Sequence, residues 1–200
     1  MSVRCNILPD PRFAELKSAL HERLAQVAAS VTPENFSSLL DPLARHVLQQ
    51  GFDQATAHEG TVWLVDAAGE FLVPAWNTGP EAARLLGRFK QPLKAGLISM
   101  VFASEQPFIE NEVFKNSQQS KHLDEMLGVQ TYALIAVPFS FLKACRGIVS
   151  CVQLKAPAAP PPDPPGFRPE HLASVERAAA LLARLLEYRL LGSTVGWTVE

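Results

Sequence analysis

Asp124 and Glu125 stand side by side, two residues beyond His122 and just after a long polar stretch. Adjacent carboxylates near an imidazole are the residue types of general acid–base work. That chemistry also needs an orienting partner and a substrate within hydrogen-bond reach. Acids on the surface of a short helix account for the same pattern, so Asp124 is retained only as a candidate ligand contact. Serines occur in the same region, but no G-x-S-x-G elbow accompanies them. Cys145 and Cys151 lie six apart, near or on the last apolar strand run. On an extended strand they would share a face but sit about 20 Å apart, beyond disulfide reach, and they read better as small buried hydrophobes. His21, His46, His58, His122 and His171 are scattered, with no helix i,i+4 pair and no Cys/His ligand spacing, so no metal is expected. His122 borders the polar stretch and reads as a solvated loop histidine. No G-x-G-x-x-G or G-x-x-x-x-G-K-[ST] loop signals a nucleotide phosphate site.

The remaining candidates suit binding rather than catalysis. Ligand pockets are mostly apolar, with a few convergent polar groups. Trp76 beside Asn77 at a strand end fits that description, and so do Asn111, Phe114 and Tyr132. The competing reading is that Trp76 fills core space and Asn77 makes a turn.

Composition narrows the class. Of 200 residues, 48% are apolar, enough for a real core. The net charge of −2 provides no basic field for nucleic acid. No apolar run approaches the roughly 20 residues of a membrane helix, and the start, Met1-Ser2-Val3-Arg4-Cys5-Asn6, lacks a secretory apolar region. Three cysteines without framework spacing suit a reducing compartment, so a cytoplasmic protein is expected.

These residues must be positioned by a mixed fold. After a loose N-terminal arm, Phe13, Leu16, Leu20, Leu24 and Val27 recur at helical spacing. Thr32-Pro33-Glu34 reads as the start of a second helix, continued by Leu39 to Leu48 and stopped by Gly51. Runs at 61–65 and 71–76, joined through Asp66-Ala67-Ala68-Gly69, predict a hairpin with a bulge at Pro74. A short helix follows Thr78-Gly79-Pro80-Glu81. A buried helix follows Gly96, and Phe108-Ile109 is a short strand. Residues 110–130 are polar and long for a connection, which often marks function; within them Leu123–Gly128 is a helical turn with a glycine stop. The runs 132–139 and 147–154 are apolar throughout, which predicts a sheet covered on both faces. Ala156–Pro169 holds seven prolines, an extended spacer rather than a PxxP ligand. From Pro169, Leu172, Val175, Ala179, Leu182 and Leu186 form a stripe broadened by Leu181, Leu185 and Leu190. That width exceeds the need of one sheet face and predicts a partner helix from a second chain.

The ordered set Gly60–Asp66, Pro92–Val101, Gln106–Val113, Leu123–Thr131, Leu134–Phe139, Gly147–Leu154 and Phe167–Leu172 resembles the GAF domain, a small-molecule-binding and signalling family. The resemblance covers roughly residues 35–190. It implies an α+β fold: a six-stranded antiparallel sheet, with N- and C-terminal helices on one face and short helices and loops on the other. The expected organisation is an N-terminal arm and helix over 1–31, a GAF-like domain over 32–191 with a Pro-rich spacer at 156–169 and a helix at 169–191, and a tail at 192–200.

Cyclic-nucleotide-binding relatives carry an Asn-Lys…Phe…Asp-Glu signature. Here Leu154-Lys155 and Phe167-Arg168-Pro169-Glu170-His171 lack the Asn and the acidic pair, which argues against a cyclic nucleotide. Bilin-binding relatives need a cysteine near the roof, and 110–130 has none, so no covalent bilin is expected. Free methionine-(R)-sulfoxide reductase shares the fold, but its cysteines lie earlier, around the roof loop and neighbouring strands. The resemblance therefore implies a non-catalytic regulatory module. Its unidentified small ligand would be held by Trp76, Asn77, Asn111, Phe114, Asp124 and Tyr132 under a 110–130 roof. The module would signal through a helix-mediated homodimer, with a possible downstream partner and no nucleic-acid or membrane partner. A ligand-free scaffold, its pocket filled by Trp63, Trp76, Met100 or Phe102, is an alternative from a different class, and an enzyme of the sulfoxide-reductase type is a third.

Overall fold

A computed structural model describes residues 16–155 and 162–196. The N-terminal arm, Phe13 and residues 156–161 of the Pro-rich spacer lie outside the described residues. Helix α1 spans Leu16–Ala29, α2 Phe36–Leu39 and α3 Pro42–Gln54. Strands β1 (Glu59–Val65) and β2 (Phe71–Asn77) form the expected hairpin. The short α4 (Ala82–Leu85), β3 (Gln91–Pro92), α5 (Leu97–Ser104) and β4 (Phe108–Glu110) follow. A 3₁₀ turn at Val113–Lys115 and α6 (His122–Leu127) precede the long strands β5 (Gln130–Phe141) and β6 (Ala144–Lys155), and α7 (Pro169–Thr194) is the last element among the described residues. The six strands form one antiparallel sheet in the order β3-β2-β1-β6-β5-β4.

Two expectations about the second helix fail. Thr32-Pro33-Glu34 begins only a turn closed around Asn35, whose side chain accepts from Thr32 N at 2.9 Å and donates to Ser30 O at 2.7 Å. The long helix starts at Pro42, because the residue before a proline is driven to extended backbone: Asp41 sits at ψ 175° and caps α3 by accepting from Ala44 N at 2.7 Å. Gly51 does not stop the helix, which runs on to Gln54. Its role is close approach: a Cβ built at Gly51 would lie 2.5 Å from Ala178 Cβ on α7. Further on, α7 extends through Thr194, beyond the expected boundary at 191.

The Pro74 irregularity is present. Pairing slips between Val62 and Trp63, so Trp63 faces Pro74 while Val62 faces Trp76, leaving Ala75 as the extra residue.

Strand alternation sorts the apolar runs into two cores. Val62, Leu64, Ile135, Val137, Phe139, Val149 and Cys151 face α2, α3 and α7. Trp63, Leu134, Ala136 and Ile148 face α4 and α5. Both faces are covered, which is why these strands show no polar alternation. Arg189 ties α7 to the start of α3, donating to Asp41 Oδ2 at 2.6 Å and Leu39 O at 2.7 Å. No helix among the described residues is long and apolar enough to cross a membrane.

Candidate functional site

A cavity of about 100 Å³ lies between the second sheet face and the segment from α5 to the start of β5. Its floor is an in-register polar row crossing three strands. Asn77 on β2 opposes Thr61 on β1, and Thr61 opposes Ser150 on β6. Asn77 Nδ2 donates to Thr61 Oγ1 at 2.8 Å, while Asn77 Oδ1 accepts from Gly79 N at 2.7 Å. Trp63 Nε1 donates to Ser150 Oγ at 2.9 Å. Each of these groups is buried and bonded, so the row is held rigidly.

Glu59 borders this row, one pleat from Thr61, with Val152 opposite it on β6. Burial pushes its carboxyl above the ordinary value of 4.5; the Asn77 amide opposes the rise, and the Glu81 charge adds to it. The backbone at Gly79 packs directly against the carboxylate. Walls come from Leu85, Leu97, Ile98, Val113 and Leu134, and the roof from Gln119, Ser120, Leu123 and Leu127.

Asp124 fastens the roof to the sheet. Its Oδ1 accepts from Thr131 Oγ1 at 2.6 Å, and its Oδ2 from Thr131 N and Gln119 Nε2, both at 2.9 Å. Gly128, at φ 68°, ends α6 as expected and turns the chain into β5. Gln119 Oε1 is buried without a hydrogen-bond partner among the described residues.

Of the candidates singled out in the sequence, Asn77 and Asp124 line this cavity. Trp76 does not. Neighbouring strand residues point to opposite faces, so Trp76 packs on the helix side, its ring 6.3 Å from Phe52. Tyr132 is the unpaired residue of a bulge between Thr131 and Ala133. It packs against the helix-side core and lies 5.6 Å from Phe114, whose side chain borders a surface groove with Lys121 and Gly128 instead of the cavity. Asn111 reaches the segment leading into α7: its Oδ1 accepts from Phe167 N at 2.6 Å, and its Nδ2 donates to Phe167 O at 2.9 Å. His122 stacks on Phe89 at 5.9 Å. Cys151 is buried in the helix-side core, and burial holds its thiol far above the ordinary range; Cys145 is half-buried and raised for the same reason. Neither is poised as a thiolate nucleophile.

The sequence reading missed Glu59, Thr61, Gln91, Gln119, Ser120 and Ser150. A signal was present for two of them: Thr61 and Ser150 are lone hydroxyls inside otherwise apolar strands. Gln91 is buried, its Nε2 donating to Ala95 O at 2.6 Å.

This architecture is that of the GAF domain, and solved GAF domains match it. One from a Coxiella burnetii phosphoenolpyruvate-protein phosphotransferase is 16% identical with a TM-score of 0.59, over 88% of this chain and 96% of that one. Another, from the Acinetobacter phosphoenolpyruvate-protein phosphotransferase, is 15% identical with a TM-score of 0.55, over 90% and 97%. The Geobacter sulfurreducens GAF domain/HD domain protein is 16% identical with a TM-score of 0.58, over 78% and 98%. Likeness at this level of identity establishes a common fold. No family profile and no curated protein matches the chain.

Proposed function

We propose that this protein is a cytoplasmic regulatory module that binds a compact small molecule in the cavity and works as a homodimer. The observation that carries the reading is the cavity itself: a rigid polar row on its floor, apolar walls, and a roof joined to the sheet through one carboxylate. Among the described residues none around it form a nucleophile–base pair, and a binding role is the reading these residues support. Ligand capture would tighten the Gln119–Leu127 roof. The Asn111–Phe167 bond offers a route from that segment to α7, because Asn111 precedes the roof and Phe167 precedes the helix.

Dimerisation rests on apolar surface. Helix α1 buries only Ala28 among its described residues, and leaves Leu16 (56%) and Leu20 (41%) exposed. On α7, Leu181 (52%) and Tyr188 (68%) are exposed two turns apart on one face. A second copy would cover these stripes as helices pack in a bundle.

The small volume favours one other reading, a ligand-free scaffold, since drug-sized ligands occupy roughly 300 Å³ or more. Native mass spectrometry of the purified chain and of Val152→Phe, which fills the cavity, separates the two. The regulatory reading expects a dimer carrying an adduct that denaturation releases and the variant lacks. A dimer of bare chain mass, with a variant that only melts higher, establishes the scaffold instead.

A further inference from the structure

We infer that the cavity selects a short aliphatic ammonium ion and rejects anions, an assignment that rests on the binding reading above. The argument begins with charge. Among the described residues, Glu59 and Asp124 are the only ionisable ones lining the cavity, and both are acids; no described Lys, Arg or His lines it. Asp124 already accepts three hydrogen bonds, two from Thr131 and one from Gln119. Glu59 has no ion-pair partner among the described residues. It is a partly buried carboxylate without a cation, and such a group is costly unless paired.

The remaining polar inventory agrees. Gln119, on the roof, has its Oε1 buried without a hydrogen-bond partner among the described residues. Ser150 Oγ and Thr61 Oγ1 each already accept one bond and retain a lone pair for a second donor. The site thus offers negative charge and acceptors alongside the two hydroxyl O–H groups, which can turn toward Glu59, and an ammonium supplies three donors and no acceptor. A carboxylate or phosphate would meet Glu59 with like charge in a poorly solvated space.

Size and wall chemistry set the rest of the ligand. A cavity of 150 Å³ in another protein holds benzene, so about 100 Å³ admits a ligand of roughly four to five heavy atoms. Trp63, Leu97, Leu134 and Val152 present apolar surface for an alkyl chain.

The test compares propylammonium chloride, 1-propanol and sodium propionate at pH 8 on the full chain. Isothermal titration gives affinity, and the Trp63 indole N–H resonance reports occupancy. Propylammonium should bind saturably, propanol at least tenfold more weakly, and propionate not at all. Glu59→Gln should reduce propylammonium to the level of propanol. In the wild type, propylammonium should also lower the Glu59 carboxyl pKa, read by carbon NMR, which keeps the test independent of how the variant folds. Propanol or propionate binding as well as propylammonium, or no change in the Glu59 titration, would overturn the ammonium assignment while leaving the binding reading intact. If none of the probes perturbs the Trp63 indole and native mass shows no adduct, both fall together.

Discussion

Asn111 and Phe167 are joined by a two-point bond in which one side-chain amide both accepts from and donates to the backbone of a residue 56 positions away, at 2.6 and 2.9 Å. Gly166, at φ 77°, packs against the same amide, and its N–H donates to the buried Gln153 Oε1 at 2.8 Å. The approach to α7 is therefore clamped from β4 and β6 together.

Asn111→Ala removes both hydrogen bonds to Phe167 and should cost about 1–2 kcal/mol of stability at this partly exposed site. The more specific effect is local. Amide exchange at Phe167 and the first turn of α7 should speed up well beyond the change in global stability, as expected for a loosened helix start. Uniform loss of protection along the chain would show that Asn111 has no special hold on α7.

Gly51→Ala distinguishes close packing from a helix stop. Alanine is the better helix former by about 1 kcal/mol, so a merely propensity-driven site would be stabilised. Contact with Ala178 predicts the opposite, a loss of about 1–3 kcal/mol from overpacking. Adding Ala178→Gly should return part of that loss, and urea denaturation of the single and double variants measures the coupling.

Asp124→Ala removes the acceptor for three donors. A stability loss of about 1.5–3 kcal/mol follows from hydrogen bonds made to a charged group. Hydrogen exchange should rise across 117–131, while β1 and β6 stay protected.

Glu59→Gln carries a pH signature. Its folded pKa is raised, so the folded state binds the proton more tightly than the unfolded state. The associated stability is fully present below the ordinary value of 4.5 and is lost as pH rises through the folded value. The variant should thus melt higher than wild type at pH 7.5, with the difference vanishing near pH 4. Melting curves at the two pH values check the sign.

Lys143→Gly addresses the β5–β6 turn, where Leu142 (φ 50°) and Lys143 (φ 65°) both occupy left-handed backbone. Such a conformation costs an L-residue about 1–2 kcal/mol, and glycine adopts it freely. The substitution should stabilise by about 1 kcal/mol in thermal or urea melts. Leu142 is the poorer target, since its N–H donates to Glu187 Oε1 at 2.7 Å and its side chain packs on the helix-side core.

By itself the sequence determined the order and type of nearly every element. Helical spacing, the Asp66–Gly69 turn, the Gly128 stop and the unbroken apolar runs at 132–139 and 147–154 are local signals, and they specify a sheet covered on both faces. It misplaced the second helix because the Asp41-Pro42 boundary outweighed the earlier Thr32-Pro33 start, and it misread Gly51 because a glycine that makes room for Ala178 looks the same in sequence as one that ends a helix. The cavity was decided by tertiary structure. Asn77, Thr61 and Ser150 are separated by 16 and 89 positions and become one row only through strand register. Trp76 and Tyr132 carry the chemistry of a pocket but are turned away from it, Trp76 by the pleat and Tyr132 by a one-residue bulge, and neither facing direction is visible where both sides of a strand are apolar.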